Sequence, residues 1–225
     1  MATSSAVINI KAQGNHHALF LMLVALIIFI LTFSFSESYW QQYRLVLIFI
    51  YLVALVTFIT GLSKYLQPKY SLVLTPKAIT YQHSNGRWQL TWRQIQAITL
   101  LKETLGLEQI KLPYIGIRLK ELDFLSKNIS PRLANRLIHE QRPLIAFAIS
   151  QDLLTFEQGQ LNLQGFTLTS GELVKGPLAA FLHHCIALNT AFGCHLFIPE
   201  TAADRELDNF HVLLTQCMKS AEQYD

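Results

Sequence analysis

The chain has 225 residues, 51% of them hydrophobic and only 15% charged, with a formal net charge of +3. A soluble domain carries about 25% charged residues, so a uniformly soluble chain is excluded, while the length suffices for one or two domains with a core. The cysteines are Cys185, Cys194 and Cys217, an odd number that suits a reducing compartment better than a disulfide framework.

The charge deficit is local. Residues 1–17 read as an N-terminal cytoplasmic segment with Lys11 as its only Lys or Arg. No charge falls in Ala18–Ser36 or Leu45–Ser63. A helix of either length covers roughly 28 Å, close to the bilayer hydrocarbon thickness of about 30 Å. The pattern therefore predicts a transmembrane hairpin over 18–63, with spans 18–36 and 45–63. The first run is too long for a signal-peptide core and no A-x-A site follows it, so it reads as retained. The linker Glu37–Arg44 carries Tyr39, Trp40 and Tyr43, residues suited to a membrane interface. A linker this short returns both chain ends to one face. Lys11, Lys64, Lys69 and Lys77 flank the spans on that face, against Arg44 alone in the linker. The positive-inside rule makes the chain a multi-pass inner-membrane protein with both termini cytoplasmic.

Residues 64–225 read as a soluble, cytoplasmic α+β domain. From Lys64 to Lys120 there are nine Lys/Arg and two acids, a net of +7; from Glu121 to Asp225 there are seven and twelve, a net of −5. Strand patterns come first. "YSLVL" and "AITYQH" alternate, Ser84–Gly86 is a hairpin turn built on Asn-Gly, and "RWQLTW" places Trp88, Leu90 and Trp92 on one face. A short turn after Trp92 leads to strands near Ala97–Leu101 and Leu112–Lys120. A helical insertion over about 121–156 follows, with Ser130 as N-cap and Pro131 at the first helical position. "GQLNLQGFTLT" is expected to return to strand with Leu161 and Leu163 buried. Pro177 opens a helix that Gly193 closes. A C-terminal extension over about 194–225 adds a short strand and a final amphipathic helix from Glu200.

The stretches "SLVLTPKAITYQHSNGRWQLTWRQIQAITL" and "YIGIRLKELDFL", with Trp92 and Ile95 three residues apart, resemble the bacterial pleckstrin-homology-like (PH-like) domain. A two-span hairpin followed by such a domain is similar to a group of uncharacterised bacterial inner-membrane proteins. The resemblance implies a small, partly open β-barrel plugged by a helix, and brings no catalytic residues with it.

Several residues invite chemistry. His183, His184, Cys185, Cys194 and His195 are weak metal candidates: they have neither a C-x-x-C nor a His pair at i, i+4, so no metal is assigned. Cys194 and His195 are adjacent on a strand and point to opposite faces, which prevents mutual activation. Glu121 and Asp123 read as a solvated face. No phosphate-binding loop or hydrolase motif is present, no nucleic-acid motif accompanies the basic half, and neither span holds an Asp, Glu, Lys, Arg or His. Ala54, Thr57 and Gly61 form a small-residue seam. The expectation is a non-enzymatic, cofactor-free, membrane-tethered module. It would bind a protein partner or an anionic lipid surface through Lys64, Lys69, Lys77, Arg87 and Arg93. The alternatives are an enzyme or metal-dependent factor using the His/Cys-rich C-terminal third, and an accessory subunit of a larger membrane complex.

Overall fold

A computed structural model describes residues 7–12, 18–66, 68–105 and 108–223; of the predicted N-terminal segment, 1–6 and 13–17 lie outside the described residues. The chain divides into two compact units, Gln13–Lys69 and the residues before it joined to Tyr70–Asp225.

The first unit is one helical element, α1 (Ala18–Tyr65), long and apolar enough to cross a membrane. The sequence predicts two helices and a linker. Helical backbone extends through most of that linker, and the break falls at Tyr43, where φ −122° and ψ 26° make a kink between two helical stretches. The reason is that Glu37–Arg44 contains no Gly or Pro, while Glu, Gln and Arg propagate a helix well. Ala18, Ala25 and Thr32 are buried at intervals of seven, and so are Leu47, Ala54 and Gly61. That interval is the one at which one helix packs along another. Phe29 meets Tyr51 edge-on with ring centroids 5.4 Å apart, and a Cβ on Gly61 would lie 2.8 Å from the Met22 side chain. Thr57 does not belong to this seam: it is half-buried and its hydroxyl donates to the Val53 carbonyl at 2.8 Å. Leu19, Phe20 and Phe49 are exposed.

The second unit is a mixed α+β body. Strands β1 (Ile8–Ile10), β2 (Leu72–Leu74), β3 (Ala78–His83) and β4 (Gly86–Thr91) form an antiparallel sheet in that order. Strands β5 (Ile95–Leu105), β6 (Glu108–Leu119) and β9 (Leu196–Pro199) form a second antiparallel sheet, and β7 (Phe166–Thr167) with β8 (Leu173–Val174) a small ribbon. A 3-10 turn, Trp92–Gln94, links the two larger sheets. Trp92 is buried and its indole N–H donates to the Thr75 carbonyl at 2.8 Å, while Gln94 Oε1 accepts from the Thr91 amide at 2.9 Å. Among the described residues the two larger sheets are not joined by strand pairing, so they form no closed barrel, where the resemblance implies a partly open one. β1 covers the edge of β2 and β9 covers the edge of β6, so each sheet finds its own partner for backbone groups that a barrel would pair across the gap. One core lies between them, with Ile79, Trp88, Leu90, Ile115 and Ile117 in a single cluster.

The opening hairpin also differs in detail. His83 pairs with Gly86, so Ser84 and Asn85 form the loop and Gly86 begins β4. Gly86 has φ +139°, and a Cβ there would collide with the Ser130 hydroxyl. Backbone conformation and close approach both require glycine at this position. Ser130 caps α3 (Pro131–Glu140) by accepting from the Leu133 amide, as its sequence predicts.

The remaining helices are α2 (Asp123–Asn128), α4 (Arg142–Ser150), α5 (Phe156–Gly159), α6 (Pro177–Phe192) and α7 (Leu207–Gln223). Gly193 ends α6 in the left-handed conformation at φ 70°. The final helix is shorter than expected, because Glu200–Ala202 forms a separate 3-10 turn. α7 packs on β5, β6 and the Trp92 turn, with Phe210 and Leu214 fully buried. Of the strand expected over 159–169 only Phe166–Thr167 forms, and Leu161 is 50% and Leu163 70% exposed. Gly159, Asn162 and Gly165 break the alternation, and Asn162 Oδ1 instead accepts from the Gln164 amide at 2.9 Å.

Candidate functional site

Three helices and a loop enclose a cleft of about 540 Å³, within the range of about 300–1,000 Å³ typical of small-molecule sites. α6 presents Ala180, His183, His184 and Ala187 to it, residues spaced three or four apart and therefore on one helical stripe. α4 contributes Arg142, Ile145 and Ile149 by the same periodicity. The third wall is α5 and the segment after it, with Glu157 and Leu161. Gly159 allows α5 to approach α4, since a Cβ there would lie 2.6 Å from Ile149 Cδ1. Thr155 and Gln158 cap α5 reciprocally, at 3.2 and 3.0 Å.

The cleft contains uncompensated polarity. The Nε2 atoms of His183 and His184 are buried without a hydrogen-bond partner among the described residues. The His183 ring is held edge-on against Phe166 at 5.0 Å, and the His184 ring stacks over Phe181 at 6.4 Å. Burial lowers the His184 pKa to about 4, so its imidazole is neutral at pH 7. Arg142 is exposed, and neither it nor Glu157 has an ion-pair partner among the described residues.

The other members of the His/Cys set lie elsewhere. Cys185 points to the opposite side of α6, is fully buried in the main core, and has its thiol pKa pushed up by burial. Cys194 contacts the Thr99 hydroxyl at 3.0 Å, and burial raises its pKa against that hydrogen bond. His195 turns the other way, and its Nδ1 accepts from the Leu119 amide at 3.0 Å. Burial, followed by the Arg118 charge, lowers its pKa to about 4. Among the described residues no group of three or more His, Cys, Asp or Glu could hold a metal ion.

The basic residues of the second unit do not gather in one place. Lys77 and Arg93 share one end of the first sheet, where Ala78 pairs with Thr91 and the Trp92 amide donates to the Lys77 carbonyl at 3.2 Å. Arg87 sits at the other end, beside the His83–Gly86 turn. Lys64 and Lys69 belong to the other unit. Glu140 on α3 lies 3.4 Å from His83 Nε2 and 2.7 Å from Arg136 Nε. The His83 hydrogen bond outweighs burial and, with Arg136, holds its carboxyl below the usual range.

Asp123 corrects an expectation. It is buried, and its two carboxylate oxygens accept from the Thr169 and Ser170 amides at 3.0 and 2.9 Å, fastening the turn between β7 and β8. Sequence reasoning also passed over Arg142 and Glu157. The available signal was the turn chemistry around Gly159, which places a helix end and a loop where a strand was expected.

A family described as "Protein of unknown function (DUF2982)" matches residues 72–220. No curated protein and no solved structure matches the chain.

Proposed function

The chain belongs to the DUF2982 family, and from that premise we propose that it is a non-enzymatic, membrane-anchored binding module. α1 crosses the inner membrane as two antiparallel spans, and the α+β unit works at the cytoplasmic face, where it binds a protein partner or an anionic lipid surface.

The pairing of β1 with β2 carries this reading. A straight helix of 48 residues would separate its ends by about 70 Å at about 1.5 Å per residue. Yet Ile10 and Leu72, on either side of that helix in sequence, are partners in one sheet. The break at Tyr43, the Phe29–Tyr51 contact and the seven-residue burial pattern favour a hairpin. Exposed Leu, Ile and Phe along both halves favour a lipid environment over a protein core. The Trp92 turn between two sheets, with a closing helix packed on the second, supports the PH-like arrangement.

Paired export and cytoplasmic reporters test the topology. Fusions at Ala12 and after Asp225 are expected to read cytoplasmic, and an insertion at Trp40 exported. An exported signal at either end overturns the hairpin. A photocrosslinker at Lys77, in native membranes, is expected to label a protein or an anionic lipid; absence of any adduct overturns the binding role.

A further inference from the structure

Around the cleft, large apolar side chains face solvent. Leu161 and Ile186 line it and are 50% and 44% exposed, and Phe156 and Leu163, close in sequence, are 69% and 70% exposed. Exposed apolar side chains at a cleft that also carries polar groups mark a binding site more often than a solvated face. The charged groups that line the cleft are one guanidinium, Arg142, and one carboxylate, Glu157.

Charge complementarity narrows the ligand. A simple anion would meet Arg142 but be repelled by Glu157; a simple cation would meet the reverse. A head group carrying both signs satisfies both. The walls formed by Ile145, Ile149, Leu161 and Ile186 suit a hydrocarbon chain. We propose that the cleft between α4, α5 and α6 binds a single-chain zwitterionic amphiphile of the lysophosphatidylethanolamine class, with its phosphate at Arg142, its ammonium at Glu157 and its chain against the isoleucine wall. This site goes beyond the tethering role and does not depend on it.

The test is equilibrium binding of radiolabelled 1-palmitoyl lysophosphatidylethanolamine to the full-length protein in amphipol. The same assay takes palmitate, hexadecyl phosphate, hexadecylamine and free phosphoethanolamine as competitors. Saturable binding to one site is expected. Arg142→Glu and Glu157→Lys should each weaken it about tenfold, the scale of one charge-assisted hydrogen bond. Ala146→Trp, at an exposed position lining the cleft, should abolish it without changing the melting temperature. Should that variant melt early, Ile186→Arg, at an already exposed position, supplies the same reading. The competitors with a single charge or without a chain should displace the probe poorly. Palmitate or hexadecyl phosphate competing as well as the unlabelled zwitterion overturns the head-group assignment. Undiminished binding in the cleft-filling variant, or no saturable binding at all, overturns the site.

Discussion

Ile10 pairs with Leu72 across two antiparallel strands, and the whole of α1 lies between them in sequence. Ser71 reinforces the junction: its amide donates to the Ile10 carbonyl at 2.9 Å, and its hydroxyl reaches both that carbonyl and the Ala202 carbonyl. The strand before the helix is therefore part of the core of the domain that follows it. Ile10 is fully buried. Ile10→Ala should destabilise the α+β unit by about 2–5 kcal/mol, the usual cost of truncating a buried isoleucine. Against a typical total of about 5–15 kcal/mol, that change is easily measured as earlier thermal unfolding of the full chain in detergent. An unchanged transition would show that β1 is not docked.

The same residue shows where sequence reading stops. Its pattern, "VINI", is only a few residues long, and its partner lies beyond the helical segment, so no local signal reveals the pairing. Elements whose information is local were legible: Ser130 and Pro131 starting α3, the turn after Trp92, and Gly193 ending α6. Elements decided by tertiary contacts were not. Leu161 and Leu163 alternate as a buried strand would, but among the described residues no strand pairs with them, and the turn residues around them prevail. His183 and His184 were legible as unusual residues. Their common cleft with Arg142 and Glu157 was not, because it is assembled from three segments distant in sequence.

Gly116 on β6 is buried for a steric reason. A Cβ there would lie 2.6 Å from Cys194 Sγ and 2.9 Å from Leu101 Cδ1, inside the packing of β5 and the chain entering β9. Neither neighbour has room to retreat, since Cys194 and Leu101 belong to a second, smaller core cluster. Gly116→Ala is expected to cost about 1–3 kcal/mol by overpacking. The measurement is the denaturation midpoint, and the effect should shrink when Cys194→Ala is combined with it.

Asp123 fastens the β7–β8 turn through the amides of Thr169 and Ser170. Burial acts to raise its pKa, but the Ser170 and Thr169 hydrogen bonds outweigh burial and hold the carboxyl below its ordinary 3.8. A carboxyl depressed in the folded state stabilises it above the unfolded pKa and loses that contribution as pH falls through the folded value. Asp123→Ala should therefore speed hydrogen exchange at Thr169 and Ser170 about tenfold at neutral pH. The two proteins should converge only in strong acid. Equal exchange rates at pH 7 would remove the fastening role.

His184 and His195 contribute with the same sign, in a different pH range. Burial lowers both from an ordinary 6.5 to about 4, with the Arg118 charge adding to the shift at His195. Between those values the unfolded chain binds protons that the folded chain refuses. Stability is therefore full above about pH 6.5 and declines as pH falls toward 4, by at most about 1.4 kcal/mol per pH unit for each group. Thermal unfolding of the full chain from pH 7 to pH 4.5 should show the melting temperature falling. His184→Gln removes one of the two titrating groups and should reduce the slope by about half without reversing its sign. His195 accepts from the Leu119 amide in its neutral form, so protonating it also breaks a backbone contact to β6. His195→Gln should thus lower stability at pH 7 as well as flatten the profile. A melting temperature independent of pH over this range would mean that both imidazoles reach solvent and that the α6 cleft and the start of β9 are more open than the packing described.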